Sequence, residues 1–98
     1  MKPIVFAPEG QAEFEAAVEW YEAKAAGLGE QFVSYLDEVL QLVEETPAGF
    51  PKWNVDLRFR RAVVQRFPYV VFYRDLADRI EVVAVRTRIL AQTQVASA

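Results

Sequence analysis

The sequence predicts an α+β fold: an N-terminal strand, an αα-hairpin, and a three-stranded antiparallel meander that forms a single sheet packed on the helices. Three observations carry this reading. Between residues 9 and 46, apolar side chains recur at three- and four-residue spacing. From residue 58 onward, alanine, leucine and glutamate give way to arginine, valine and aromatics, the residues of strands. With 98 residues the chain has the length of one compact unit around one core, so we expect a single domain over residues 1–98.

The elements follow in order. "PIVF", residues 3–6, is a short apolar run suited to a first strand, and Pro8 fits the first position of a helix. Phe14, Ala17, Val18, Tyr21 and Ala25 then mark one helical face, while Glu13, Glu15, Glu19 and Glu22 occupy other positions. Gly27 and Gly29 permit a tight reversal, and a second stripe follows in Phe32, Leu36, Val39, Leu40 and Val43. Pro47 ends that helix, because it biases Thr46 away from helical angles. After the turn-rich "PAGFPKWNVD", three strands are expected at "RFRRAVVQR", "YVVFYR" and "IEVVAVR", with Pro68 at a strand end. In the second of these, Tyr69, Val71 and Tyr73 share one face, and Val70 and Phe72 the other. Residues 91–98 read as a tail, either disordered or part of a short helix.

Composition removes several classes of function. With no cysteine and no histidine, disulfides and thiolate or imidazole metal sites are excluded. The helical glutamates read as a solvated face, so no metal and no cofactor is expected. "MKPIVFAPEG" lacks the apolar core of a signal peptide and no later run is long enough to span a bilayer, which predicts a cytoplasmic protein without membrane contact.

The net charge of -3 is divided unevenly: residues 1–50 carry -8 and residues 51–98 carry +5. Such a division suggests a face that meets an anionic partner, or two halves that neutralise each other across the fold. Arg58, Arg60, Arg61, Arg66, Arg86 and Arg88 are the candidate binding residues; the competing reading is an exposed sheet face without a ligand. Phe67, Tyr69, Phe72 and Tyr73 read as sheet packing before base stacking, and Trp20 and Trp53 as packing anchors. A sequence pI near 4.9 suits a protein partner better than ribosomal RNA.

The run "FAPEGQAEFEAAVEWYEAKAAGLGEQFVSYLDEVLQLVEETPAGFP", with "RRAVVQRFPYVVFYRD" and "IEVVAVRTR" after it, resembles the RelE/ParE toxins of bacterial type II toxin–antitoxin modules. It is most similar to their ParE-like, plasmid-stabilisation branch. The resemblance implies a cognate antitoxin encoded beside the toxin and growth arrest when the toxin is unneutralised. ParE-like relatives inhibit DNA gyrase by binding it; RelE-like relatives cut mRNA on the ribosome. Arg66, just before Phe67-Pro68-Tyr69, matches the position of a catalytic arginine in several family nucleases, and Thr87 stands about where many members carry a histidine. Cutting RNA would then fall to Arg66 with Arg60 or Arg61 for phosphate charge, and to Tyr69 or Tyr73 for proton transfer. The missing histidine favours binding over catalysis. The expectation is therefore a ParE-like toxin that binds gyrase, with an mRNA endonuclease, or an inactive relative that only binds antitoxin, as alternatives.

Overall fold

The computed structural model describes residues 1–88, so the expectation for the tail lies outside the described residues. Strand β1 (Ile4–Phe6) leads into helices α1 (Pro8–Lys24) and α2 (Leu28–Glu45). A single 3-10 turn over Pro47–Gly49 follows, then strands β2 (Lys52–Trp53), β3 (Asp56–Val63), β4 (Tyr69–Asp75) and β5 (Ile80–Thr87). The sheet has five strands in the order β1-β5-β4-β3-β2.

The three expected strands do lie side by side and antiparallel, but within a larger mixed sheet. Two additions account for the difference. β1 enters parallel to β5, with Ile4, Val5 and Phe6 opposite Ile80, Glu81 and Val82. β2 doubles back on β3 through a tight turn, a strand of two residues hidden in what reads as loop. β3 also ends at Val63, so Arg66 belongs to the bend at residues 65–68.

The helical hairpin covers one face of the sheet. Phe32, Leu36, Val39 and Val43 of α2 are buried against Ala62, Val71, Tyr73, Ile80, Val82 and Val85. α1 comes closest to β5 at Gly10, where a Cβ would stand only 2.7 Å from the Val82 carbonyl oxygen. Glycine is therefore what lets the helix backbone rest directly on the strand. At the hairpin's other end Gly27 has φ +87°, and the Glu22 carboxylate accepts the Gly27 and Gly29 N–H groups at 2.9 and 3.0 Å. That carboxylate satisfies amides which the start of α2 would otherwise leave unpartnered.

The opposite face has its own apolar cluster of Trp53, Phe59, Val70, Phe72 and Ala84. Alternation along β4 separates the two clusters: Val71 and Tyr73 face the helices, Val70 and Phe72 the other side. Opposite β4, Phe72 pairs with Ala84 and Tyr73 with Val82, which leaves Val83 as a bulge residue.

Candidate functional site

β1 pairs with only the first three residues of β5, so beyond Val82 the outer edge of β5 has no strand neighbour among the described residues. α1 runs beside that edge, and Glu13 reaches across the gap. Its Oε1 accepts the Val85 N–H at 2.9 Å and its Oε2 accepts from Arg86 Nε at 2.9 Å. One carboxylate thus caps an edge amide and pairs with the cation next to it.

Next to this contact lies a cleft of about 480 Å³, with Ala16, Ala17, Trp20 and Tyr21 on one wall and Pro68, Tyr69, Val85 and Thr87 on the other. Ala16 and Ala17, one turn before Trp20, leave the space that larger residues would fill. The indole is 54% exposed, although the sequence reads as if it were a packing anchor. It stands edge-on to Tyr21 at 5.0 Å, with the Lys24 ammonium 4.6 Å from its ring. Trp53, by contrast, is buried against Phe72.

Beneath the cleft an aromatic cluster ties the hairpin to the β3–β4 bend. Phe32 packs on Tyr21, Phe67 and Tyr69 at centroid distances of 5.3, 5.3 and 5.0 Å. Burial pushes the Tyr21 and Tyr69 phenols above their ordinary range, and for Tyr69 the neighbouring Tyr21 adds to the effect. In the bend, Arg66 has φ +67°, a left-handed conformation that costs a non-glycine residue about 1–2 kcal/mol. The conformation sends Phe67 into the cluster, while the Arg66 guanidinium lies 5.7 Å from the Tyr35 ring.

The other candidate residues are dispersed. Tyr73 is fully buried and its hydroxyl donates to the Pro47 carbonyl at 2.6 Å. Burial pushes that phenol up to about 12, with Asp75 adding to the rise and Arg60 opposing it. Arg60 donates to the Phe50 carbonyl at 2.7 Å, so both residues hold the 47–50 segment to the sheet. Arg58 forms an ion pair with Asp56 and holds the Asp56 carboxyl below its ordinary range. Arg61 is exposed in a separate concavity with Lys52. Arg88 is exposed, and its backbone N–H donates to the Pro68 carbonyl.

Of the expected site residues, then, Tyr69 and Arg86 meet at the cleft. Sequence reasoning missed Glu13, Trp20 and Lys52. Only the surplus of arginine over acid in the second half hinted at a free cation such as Lys52, and nothing local marked Glu13.

A helical hairpin riding on one face of a mixed sheet, with an apolar cleft where helix and sheet edge part, defines a small α+β protein with an open groove at its sheet edge. The comparisons with known proteins give the family. The model for the ParE toxin of the type II toxin–antitoxin system parDE matches residues 4–88, and the chain belongs to that family. A chain of the chromosomal ParDE TA system from P. aeruginosa superposes with TM-score 0.75, covering 89% of this chain and 96% of that one. At 14% identity that likeness is one of fold. No curated protein matches the chain significantly. Among the described residues, no helix is long and apolar enough to cross a membrane.

Proposed function

We propose that this ParE-family chain is a cytoplasmic toxin that acts by binding a protein, with DNA gyrase the target its family suggests, and that a cognate antitoxin neutralises it at the α1–β5 cleft. The observation that carries the reading is the cleft itself. It combines a half-exposed tryptophan, apolar walls, a strand edge that has no strand neighbour beyond Val82 among the described residues and an arginine at its rim. An antitoxin segment fits it by inserting an apolar side chain between Trp20 and Tyr69, and by offering Arg86 a carboxylate in place of Glu13. That is recognition by groove filling or strand addition.

Binding is favoured over cutting by the placement of the nuclease candidates. Tyr73 has no exposed surface, and Arg61 lies across the face away from the helices, whereas Tyr69 lines the cleft and Arg66 sits on the bend beside it. General acid–base work on RNA needs such groups within hydrogen-bond reach of one phosphodiester.

Induced expression of the chain with and without its neighbouring gene's product tests the reading. Growth should continue in the first case and stop in the second. Normal growth under induction alone would leave a chain that binds antitoxin without being a toxin.

A further inference from the structure

Nearly every cation of the described residues is engaged. Lys2 pairs with Asp75, Arg58 with Asp56, Arg74 with Glu81, Arg79 with Asp78 and Arg86 with Glu13. Lys24 and Arg66 lie over aromatic rings, and Arg60 serves a backbone carbonyl. Lys52, Arg61 and Arg88 differ: among the described residues none of the three has an acidic partner or a hydrogen bond from the side chain, and all are exposed. Of these, Lys52 and Arg61 line the same concavity, of about 400 Å³, together with Phe50, Pro51, Asn54 and Val63. Among the described residues no carboxylate lines it.

The two cations are held by the sheet itself. Lys52 is in register with Arg60, Arg61 is opposite Phe72, and the Arg61 N–H donates to the Pro51 carbonyl at 3.0 Å. Like charges sharing a concavity repel, and an incoming anion relieves that repulsion. A site on paired strands also meets its ligand with little ordering to do.

We propose that Lys52 and Arg61 form a second docking site, which takes an acidic segment of the protein this toxin acts on. The assignment to the target rests on the function proposed above. Charge complementarity selects the occupant: Lys52 and Arg61 suit an Asp or Glu side chain, and Phe50, Pro51 and Val63 suit the apolar residues beside it. An extended nucleic acid is disfavoured, because residues 1–50 bring a charge of -8 to the same small protein. The site also uses other strands than the Arg86 rim of the antitoxin cleft. At about 4.8 Å per strand, β5 lies roughly 10 Å from β3, which carries Arg61, and roughly 14 Å from β2, which carries Lys52. The toxin can therefore hold antitoxin and target through different surfaces.

The test is an NMR titration of the ¹⁵N-labelled protein with poly-L-glutamate, and in parallel with a single-stranded DNA oligonucleotide of equal charge. Poly-L-glutamate should shift the amides of Phe50, 52–54 and 61–63, and the double variant Lys52→Gln/Arg61→Gln should bind it roughly tenfold more weakly. Shifts centred on Arg86 and the cleft, shifts spread evenly over all arginines, or no shifts at all would overturn the site. Tighter binding of the DNA at the same residues would overturn the acidic-protein assignment. In cells, the double variant should lose growth arrest and still capture the antitoxin. Retained arrest, or lost capture, would overturn its assignment to the target. If the unaltered chain causes no arrest, the proposed toxin function fails, and the titration alone decides whether the docking site exists.

Discussion

Gly10→Ala is a small change with a large expected effect. Two forces act on it in opposite directions. Alanine is the better helix former, worth up to about 1 kcal/mol in a helix interior. Against this, the new Cβ would lie 2.7 Å from the Val82 oxygen and 3.2 Å from the Val83 carbonyl carbon. Both are backbone atoms in a paired strand, so neither can rotate away. Restoring an ordinary 3.4 Å contact means lifting α1 off β5 by about 0.7 Å. That movement stretches the 2.9 Å bond from the Ala7 N–H to the Val82 oxygen and withdraws Glu13 from Val85 and Arg86. Overpacking costs about 1–3 kcal/mol and a weakened hydrogen bond about 1 kcal/mol, which together exceed the propensity gain. We expect a net loss of about 1–3 kcal/mol, read in urea as a midpoint lower by roughly 1 M with an unchanged slope. Gly27→Ala is the useful comparison, since nothing stands within 4 Å of a Cβ there and any loss comes from φ +87° alone. A Gly10→Ala protein as stable as the parent, or more stable, would refute the close approach of helix and strand.

Three further outcomes follow from the same geometry. Trp20→Ala should weaken antitoxin binding by about tenfold or more while changing stability by less than about 0.5 kcal/mol, because the indole is 54% exposed; calorimetric titration and urea melts measure the two effects separately. Tyr73→Phe should cost about 1 kcal/mol near neutral pH by removing the hydrogen bond to Pro47. The folded phenol titrates at about 12 and the unfolded one at 10.0, so the stabilisation is complete below pH 10 and is lost as pH rises through 12; Tyr73→Phe should flatten that alkaline decline in denaturation curves. Arg66→Gly should leave stability within about 0.5 kcal/mol of the parent, as relief of the φ +67° conformation offsets the lost contact with Tyr35, whereas Arg66→Val should lower the melting temperature clearly.

The elements that the sequence made legible are those written in local pattern. The stripe from Phe32 to Val43 became the buried face of α2, the glycines became its turn, and alternation along β4 placed Tyr73 and Phe72 on opposite faces. What the sequence hid depends on distant partners. β1 joins β5 across more than seventy residues, and parallel pairing leaves no hairpin signal between them. β2 has two residues and lies among turn formers, too short for any period to register. The site was hidden for the same reason. An arginine-rich stretch looks like one basic surface, yet Arg58 and Arg60 are occupied within the fold, and Arg86 is paired with Glu13, 73 positions away. Trp20 reads as core because it neighbours Tyr21, and only the docked sheet shows that it opens onto a cleft.

The central claim, toxicity through protein binding, is tested most directly by a supercoiling assay with purified DNA gyrase and relaxed plasmid. The account predicts that the toxin inhibits supercoiling in proportion to its concentration, that equimolar antitoxin restores it, and that Lys52→Gln/Arg61→Gln is the weaker inhibitor. Full supercoiling at a large excess of toxin would contradict it for gyrase, and discrete cuts in the mRNA of translating ribosomes would replace binding with catalysis.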